Sequence, residues 1–408
     1  MSNAMRVMNV VADERFGGPQ SRILQVASRL KAKNVETIVV TRRGDRTFAM
    51  RLAEAGVPCV EIDLVRPRAS LDPRLHLQFF RLFSKNVREM RKIIRERAIH
   101  VVHTNGLIGV QAAIAARLEG APLVWHLNDV TFPRPLRMLL LPLVRRWATV
   151  IAVSAHRVGE FYLGAWDAAP DLASRVHVLH APVDIHRFVP GIDGSGVRRE
   201  LKIALDCPVI GAVGNLSPGK GFEFLLRAMP EILRSFPETR CLIAGAPLAN
   251  RQAYRDQLER AVESLGLQGR VFFLGRRDDM PQVIAALNVY VHPSEFEACP
   301  MAVLEASASG RAVVATNAGG TVELVENGST GILVAPRHAG QIAQAVIRLL
   351  ADPATAKRMG EAGREWVQER FSLESCWRRH LSIYEAASRA RRGPAQFAED
   401  GRFTPANL

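Results

Sequence analysis

The sequence predicts an α/β protein built from two doubly wound domains in tandem. Twelve short apolar runs rich in β-branched residues recur along the chain, and each is followed by a longer stretch with helical periodicity. Nearly continuous apolar strands that alternate with helices are typical of parallel sheets covered by helices on both faces. The runs form two groups of six, which predicts two sheets. The predicted strands are 7–11, 36–41, 99–104, 123–127, 149–153 and 176–179 in the first group and 209–213, 240–244, 271–274, 289–292, 312–315 and 331–334 in the second.

The predicted domain boundary lies at 184–196, where Pro and Gly cluster between the two groups of strands. We therefore expect an N-terminal domain over residues 1–185 and a C-terminal domain over residues 186–372. A helix predicted over 373–390 follows the last strand by about 40 residues, so it need not cover the second sheet, and we expect it to pack toward the first domain. Residues 391–408 mix charge, Gly and Pro without periodicity, which predicts a disordered tail.

Composition excludes several classes of protein. Hydrophobic residues make up 48% and charged residues 23% of the chain, which excludes a disordered or low-complexity protein. Five dispersed cysteines without a CxxC pair favour free thiols in a reducing cytoplasm over a disulfide framework or a zinc site. No apolar run reaches the roughly 18–20 residues of a membrane span, and no secretory segment opens the chain. We therefore expect a cytoplasmic protein.

The charge is positive and unevenly distributed. The formal net charge is +14, and residues 1–185 carry 27 Lys and Arg against 16 Asp and Glu, which is +11 of that total. This balance favours anionic partners. Nucleic acid is a poor candidate among them, because the basic residues lie on predicted crossover helices without the interleaved aromatic residues that single-strand binders use.

Two apolar and basic stretches, 75–100 and 135–147, concentrate this charge. A basic amphipathic helix can lie in an anionic membrane interface, with its arginines against the head groups. The alternative is a crossover helix that packs its apolar stripe on the sheet and leaves its arginines in water. Both readings stay open, and an anionic membrane surface is one expected partner of the N-terminal domain.

Three junctions between a predicted strand and the following helix carry candidate ligand-binding residues. The first contains Gly17 and Gly18, where glycine lets a ligand approach the backbone and the free amides of a helix start favour a phosphate. The junction is not a GxGxxG motif, and the second strand ends without the acidic residue that a dinucleotide ribose requires. A tight turn without a ligand is the alternative.

The second junction is the glycine-rich segment 211–221, which contains Lys220. Its turn places Lys220 beside the amino end of the helix predicted from Phe222, where a diphosphate would lie. The segment lacks the Gly-Lys-Ser/Thr ending of a P-loop, so it does not favour chemistry on magnesium nucleoside triphosphates.

The third junction, 293–306, carries two carboxylates eight residues apart, Glu297 ahead of a predicted helix and Glu305 inside it. Two carboxylates on either side of an anion-binding helix start can grip the ends of a polar ligand, one at the hydroxyls of a reacting sugar and the other at a ribose. The alternative is that both acids are solvated and are favoured only by the helix dipole.

The start of that helix is itself a candidate binding group. Pro300 is well suited to the first helical position, so the backbone amides around Cys299 and Met301 are expected to face outward without intrahelical partners. Such amides bind an anionic group of a ligand.

Taken in order, these motifs resemble those of the retaining family 4 glycosyltransferases, which have the GT-B fold of two Rossmann-like domains with a cleft between them. The resemblance covers essentially the whole ordered chain. The motifs that carry it are Gly17-Gly18, Trp125-His126, Val153-Ser154, Lys220-Gly221, Glu297 with Glu305, and Gly319-Gly320 with Glu323.

The resemblance implies transfer of a sugar from a nucleotide-diphosphate donor to a glycan or lipid-linked acceptor, with retention at the anomeric carbon. It implies no metal and no cofactor, and the donor is expected to be a UDP-sugar rather than a GDP-sugar. The Ala-Cys-Pro sequence after Glu297 resembles a variant of bacterial surface-polysaccharide enzymes. We expect this reaction on the cytoplasmic face of the membrane.

The same resemblance assigns roles to individual residues. Glu305 would hold the donor ribose, Glu297 would hold hydroxyls of the donor sugar, and Lys220 would neutralise the diphosphate leaving group. His126 would hydrogen-bond the donor sugar from the opposite domain, and the first glycine pair would line the phosphate side of the cleft.

The chain departs from the family pattern at two places. Asn215 stands where the family usually has an Arg five residues before Lys220, so one contact to the diphosphate is missing or is supplied by Arg276 or Arg277 after the strand 271–274. Asn215 and Arg276 are therefore candidate donor-binding residues. A second departure, in the segment His180-Ala-Pro-Val-Asp where the family commonly has an Asn-Gly pair, affects the hinge more than the chemistry.

Three histidines end predicted strands. A histidine in this position is often a satisfied core group, and the resemblance favours the site for His126. His103 stays open between an acceptor-side contact and a structural role, and His292 is expected to be structural.

Two functions of other classes remain as alternatives. An epimerase on the same fold would convert a nucleotide sugar without an acceptor, and a non-catalytic subunit would only bind a nucleotide sugar or a glycan. A phosphorylase would need a pyridoxal-bearing lysine, for which the sequence offers no convincing setting.

Overall fold

A computed structural model of the protein describes residues 4–12, 17–44, 46–65, 73–247 and 252–392. Its strands are β1 (Met5–Val11), β2 (Val35–Arg42), β3 (Cys59–Ile62), β4 (Val101–Asn105), β5 (Leu123–Leu127), β6 (Val150–Val153), β7 (Val176–Val178), β8 (Val209–Val213), β9 (Arg240–Ala244), β10 (Val271–Gly275), β11 (Val289–His292), β12 (Ala312–Thr316) and β13 (Gly331–Val334).

The helices alternate with these strands. They are α1 (Gly18–Lys31), α2 (Arg46–Glu54), α3 (Pro73–Glu96), α4 (Val110–Leu118), α5 (Arg134–Trp147), α6 (His156–Leu163), α7 (Pro170–Ala173), α8 (Ser195–Glu200), α9 (Phe222–Ser235), α10 (Gln252–Ser264), α11 (Met280–Ala285), α12 (Met301–Ala308), α13 (Thr321–Leu324), α14 (Ala339–Ala351), α15 (Pro353–Arg370) and α16 (Leu373–Arg392). No helix in the described ranges combines the length and apolar character needed to cross a bilayer.

The strands form two wholly parallel sheets, which confirms the predicted fold class. The first sheet has the order β3-β2-β1-β4-β5-β6-β7 and the second has the order β10-β9-β8-β11-β12-β13. In each sheet the strand order reverses direction once, between β1 and β4 and between β8 and β11. Ligands of doubly wound folds bind beyond the carboxyl ends of the strands at this reversal, because the flanking loops diverge there.

One strand was missing from the prediction. The first sheet has seven strands rather than six, since β3 (Cys59–Ile62) pairs with β2 at the sheet edge. It is four residues long, contains Glu61, and is mostly half-buried, so it lacks the continuous apolar run of a central strand. The other twelve strands lie within two residues of their predicted ends.

Each sheet is buried on both faces, as near-continuous apolar strands require. Helices α3 to α6 cover one face of the first sheet, and α1, α2 and α16 cover the other. In the second domain, α9, α10 and α14 pack on one face, and α8, α11 and α12 pack on the other.

The last helix lies on the first domain. Trp377 and Tyr384 of α16 share a core with Val7 and Val124 of the first sheet. The chain crosses back to reach this position where the Val183 N–H donates to the Phe371 carbonyl at 2.9 Å. Helix α16 runs two residues past its predicted end, and the predicted tail from 393 to 408 lies outside the described residues. The domain boundaries at 185 and 372 stay predictions.

Candidate active site

The amino ends of α1 in the first domain and α12 in the second meet across the cleft. A Cβ atom added to Gly18, the first residue of α1, would lie 3.7 Å from the sulfur of Met301, the first residue of α12. Neither helix has an acidic residue in its first turn. The positive ends of two helix dipoles therefore border one space, which favours an anion, and the Gly17 N–H donates to the Gln20 side chain at 3.2 Å. Gly17 precedes α1 in extended backbone, and Phe16 lies outside the described residues.

Glu297 and Lys220 form an ion pair at this space. The Lys220 Nζ atom lies 2.6 Å from Glu297 Oε1, and His292 Nε2 donates to the same oxygen at 2.9 Å. Burial raises the pKa of Glu297, but the Lys220 ammonium and the His292 hydrogen bond outweigh it and hold that pKa far below its ordinary value. Glu297 is therefore an anion, and in this state the charge of Lys220 is compensated by it.

The position of Lys220 depends on a tight approach between two loops. It ends the 3₁₀ turn Pro218–Lys220, and the next residue, Gly221, has φ of +64°. A Cβ atom at Gly221 would lie 2.2 Å from the Pro293 carbonyl oxygen, so only glycine fits. This contact brings the Lys220 turn against the loop that carries Glu297.

The structure shows His292 bonded to the Glu297 carboxylate, a contact that its position in the sequence did not indicate. Its Nε2–H donates to Glu297, and its Nδ1 lies 3.2 Å from the Tyr290 hydroxyl, which donates to it. His292 is a buried group that orients the Glu297 carboxylate, and nothing in the local sequence distinguishes it from an ordinary core histidine.

Glu305 is the second carboxylate of α12, and it has no ion-pair or hydrogen-bond partner for its carboxylate among the described residues. The side chain is half-buried. Burial raises the pKa of Glu305 to about 7, and the nearby Arg187 guanidinium lowers it only partly. A half-buried carboxylate to which no described residue donates is suited to accept hydrogen bonds from a ligand.

Arg187 is a further cation at this end of the cleft that the sequence did not single out. It belongs to the segment between the two domains, and its guanidinium donates to the Asp278 carbonyl at 3.1 Å. Its only sequence signal is its position between two domains.

The structure distinguishes the two arginines that could replace the missing one at Asn215. Arg277 forms ion pairs with Glu200 and Asp279, each at 2.7 Å, so its guanidinium is engaged. Arg276 is exposed and has no side-chain partner within the described ranges. Asn215 is exposed as well.

His126 lies at the end of β5 and is fully buried. Arg22 of α1 covers its outer edge, with NH1 at 3.2 Å from His126 Nε2. A guanidinium only donates, so His126 Nε2 accepts and Nδ1–H donates to His103 Nε2 at 3.3 Å. His103 Nδ1–H then donates to the Tyr384 hydroxyl at 2.7 Å. Burial, aided by Arg22, holds the pKa values of both histidines well below their ordinary value, so both are neutral.

The start of α12 differs from its prediction by one residue. Pro300 is the N-cap, with extended φ and ψ of −74° and 107°, and the helix begins at Met301. The Val303 N–H bonds to the Pro300 carbonyl at 3.2 Å, which leaves the amides of Met301 and Ala302 without intrahelical acceptors. The Cys299 thiol accepts from the Ala181 N–H at 3.3 Å, and burial raises its pKa to about 12, so this side chain contacts the interdomain segment as a neutral thiol.

Glu323 joins the two domains. Its carboxylate accepts the backbone N–H groups of His156 and Arg157 at the start of α6, both at 2.9 Å, and the Nε2–H of His180 at 2.8 Å. Burial raises the pKa of Glu323, but these donors outweigh it, and the pKa lies below its ordinary value. The motif that carries Glu323 therefore caps a helix of the opposite domain.

These groups suit a polar ligand with an anionic centre. The two helix amino ends and Lys220 favour phosphate, and Glu297 and Glu305 are placed to accept hydroxyl groups. In the described part of the chain, no three His, Cys, Asp or Glu side chains are arranged to hold a metal ion.

Family models match both domains. A model described as Glycosyltransferase Family 4 matches residues 16–187, and one described as Glycosyl transferases group 1 matches residues 196–366. The first range contains the first parallel sheet and the second contains the other sheet.

Curated relatives match part of the chain. It is 36% identical to the lipopolysaccharide core biosynthesis mannosyltransferase of Rhizobium leguminosarum bv. viciae, over 57% of this chain and 62% of the relative. It is 33% identical to the GDP-mannose-dependent alpha-(1-6)-phosphatidylinositol monomannoside mannosyltransferase of Mycolicibacterium smegmatis, over 52% of this chain and 57% of the relative. The match thus spans 57% to 62% of the length of these two curated relatives.

Solved structures resemble nearly the whole chain. HepE of Anabaena, in complex with UDP, superposes with a TM-score of 0.78 at 23% identity, over 94% of this chain and 100% of that one. Sucrose-phosphate synthase of Thermosynechococcus elongatus superposes with a TM-score of 0.79 at 23% identity, over 95% and 100%. At such identity the likeness concerns the fold, and it is the two-domain GT-B fold. With that fold and a matching family model on each domain, the chain belongs to the family 4 glycosyltransferases.

Proposed function

We propose that the protein transfers a sugar from a nucleotide-diphosphate donor to a glycan or lipid-linked acceptor, with retention at the anomeric carbon and without a metal. One observation carries the proposal. The Glu297–Lys220 pair precedes the amino end of α12, which faces the amino end of α1, and the Glu305 carboxylate, without a partner among the described residues, lies about one turn inside α12. This arrangement matches the order ribose, diphosphate and sugar in such a donor.

In this proposal, binding of the donor rearranges the charges of the cleft. Glu305 accepts the ribose hydroxyls, and the diphosphate binds at the amino end of α1 and at the amides of α12. The diphosphate competes with Glu297 for Lys220, which frees the Glu297 carboxylate for hydroxyls of the donor sugar. Gly17, Gly18, Cys299, Pro300 and Met301 contribute backbone to the diphosphate site, and Asn215 and Arg276 lie at its edge.

The chemical step breaks the bond between the anomeric carbon and the phosphate oxygen and forms a bond from that carbon to an acceptor hydroxyl oxygen. Lys220 and the helix amides stabilise the negative charge that develops on the departing diphosphate. Hydroxyl contacts to Glu297 stabilise the oxocarbenium-like transition state. The acceptor's proton passes to the leaving phosphate oxygen, so no side chain is needed as general base. We propose that His126 contacts the donor sugar once Arg22 has moved from its Nε2.

We propose a UDP-sugar as donor. HepE, a protein of this fold that was solved in complex with UDP and with UDP-glucose, supports a uridine nucleotide as the donor. A GDP-sugar is the second candidate, because one relative is named as GDP-mannose-dependent. The names of the mannosyltransferase relatives support an acceptor in lipopolysaccharide or glycolipid biosynthesis.

A thermal-shift panel of UDP- and GDP-sugars tests the proposed function. A donor at about 100 times its Kd should stabilise the protein by roughly 2.7 kcal/mol. Failure of every nucleotide sugar to raise Tm contradicts the proposal. With the donor identified, transfer that is abolished by Glu297→Ala excludes a non-catalytic binding subunit. Conversion of the donor without an acceptor, followed by NMR, would instead identify an epimerase.

We also propose that the N-terminal domain contacts an anionic membrane from the cytoplasmic side. Met138 and Leu139 on α5 are 67% and 69% exposed, beside the exposed Arg145 and Arg146, and Phe80 on α3 is 67% exposed. Apolar side chains flanked by arginine fit a head-group interface.

We expect the protein to co-sediment with vesicles of 30% phosphatidylglycerol, and we expect the variant Met138→Ser/Leu139→Ser to lose this co-sedimentation. Equal sedimentation of both proteins would contradict this contact and leave α5 as a crossover helix.

A further inference from the structure

Arg22 is a buried cation that has no acidic partner among the described residues. Its side chain is on α1, and the residue is 3% exposed. NH1 bonds to His126 Nε2 at 3.2 Å and NH2 donates to Asn105 Oδ1 at 2.6 Å, and both acceptors are neutral. The Nε atom is buried and has no hydrogen-bond partner in the part of the chain that the structure describes. Two of the five N–H donors of this guanidinium are therefore used by the described residues.

The position of Arg22 is at the cleft. It lies one turn beyond Gly18, and its two partners stand at the carboxyl ends of β4 and β5. The Cys299 thiol, from the loop ahead of α12, lies near the guanidinium, as do Cys376 and Tyr384 of α16. Arg22 thus lies behind the space where the amino ends of α1 and α12 meet.

The positive charges near the cleft are only partly compensated by carboxylates. Lys220 is neutralised by Glu297, and Arg277 is neutralised by Glu200 and Asp279. No carboxylate forms an ion pair with Arg22 among the described residues. Burying an unpaired charge is costly, and the cost is offset when an anion joins it.

We propose that Arg22 binds a phosphate group of the ligand from the N-terminal domain; where that phosphate is the donor's, Arg22 supplies the charge that is missing at Asn215. The inference rests on the proposed function, because it places the phosphate in the same cleft. Arginine is suited to this task, since its planar fork donates two parallel hydrogen bonds to phosphate oxygens. The phosphate belongs either to the donor diphosphate or to a phosphorylated acceptor. The ligand enters when the domains separate, and Arg22 then exchanges its neutral partners for the phosphate.

Calorimetric titration of the whole chain with UDP and with GDP tests the proposal. Arg22→Gln should weaken the better nucleotide by roughly 10- to 100-fold, the loss of one charged hydrogen-bonding group. Arg22→Lys should recover part of the affinity, because the charge returns without the fork. Arg29→Gln removes the same charge from an exposed position of α1 and should leave the affinity unchanged.

A second titration separates the two sources of phosphate. Inorganic phosphate is added to protein saturated with the nucleotide. If Arg22 serves the acceptor, Arg22→Gln leaves nucleotide affinity unchanged and abolishes this phosphate binding. If both titrations match the unsubstituted protein, the proposal is wrong and Arg22 only orients His126 and Asn105.

Two further observations keep the test decisive. If Arg22→Gln does not fold, a crystal of the unsubstituted protein with UDP and inorganic phosphate decides, and a guanidinium more than 6 Å from every phosphate atom overturns the proposal. If the unsubstituted protein binds neither UDP nor GDP, the proposed function fails as well. Tight binding that Arg22→Gln does not change, together with unchanged phosphate binding, removes this inference alone.

Discussion

Replacing Lys220 with methionine is expected to destabilise the protein by about 3 kcal/mol at pH 7 and to abolish sugar transfer. The substitution leaves Glu297 buried with its negative charge uncompensated, which in other proteins costs 3–5 kcal/mol. We expect the lower end of that range, because 28% of the Lys220 side chain is exposed. Urea unfolding measures the loss, and transfer from the identified donor measures the activity.

The same substitution should reverse the pH dependence of stability. In the unsubstituted protein the pKa of Glu297 lies below its ordinary value, so its contribution is present above that ordinary value and is lost as the pH falls toward the folded pKa. Without Lys220, burial raises the pKa of Glu297, and the folded state takes up a proton between pH 7 and pH 5. The variant should therefore become more stable as the pH falls over that interval. In the unsubstituted protein, Glu297 should not increase stability over the same interval.

Two controls accompany this experiment. Lys220→Met/Glu297→Gln removes both charges and should recover most of the lost stability, because no buried charge remains. Lys357→Met removes an exposed lysine and should change stability by less than about 0.5 kcal/mol. A single variant as stable as the double variant at pH 7 would contradict the ion pair.

Glu305→Gln is expected to weaken the nucleotide by about 100-fold, because the carboxylate accepts charged hydrogen bonds from the ribose in the proposed complex. The pKa of Glu305 is about 7, so ionisation of the carboxylate increases from pH 6 to pH 8. Nucleotide affinity of the unsubstituted protein should rise over that interval, and affinity of the variant should not. Calorimetry at both pH values makes the comparison.

The stability of the ligand-free protein should fall with rising pH, in the opposite direction to its nucleotide affinity. A raised carboxyl pKa means that the contribution of Glu305 is complete below the ordinary value and is lost as the pH rises through about 7. Glu305→Gln should therefore stabilise the empty protein at pH 8 by about 1–2 kcal/mol, discounted for solvent reaching this half-buried group, and have little effect at pH 5. Glu326→Gln, an exposed position, is the matched control. A variant that binds the nucleotide as before would remove Glu305 from the site.

Local sequence patterns were sufficient to predict the layers of this fold and to identify Glu297 and Lys220 as residues that meet in the structure. Apolar runs alternating with helical periodicity predicted both parallel sheets, because a strand buried on both faces must be apolar at successive positions. Glu297 and Lys220 were placed at the cleft because each follows a strand, and the carboxyl ends of parallel strands lie at one edge. The same pattern did not predict the edge strand β3, because an edge strand is not apolar at successive positions.

The sequence alone determined which residue types follow which strands, and therefore the chemistry available at the cleft. Only the tertiary structure decided which charges compensate one another. Lys220 and Glu297 are 77 residues apart, Arg22 and His126 are 104 apart, and Glu323 caps a helix that begins 167 residues earlier. Such pairs depend on how helices, sheets and domains pack, and no local periodicity encodes that packing. The same reason explains why α16, which continues directly from the second domain, completes the core of the first.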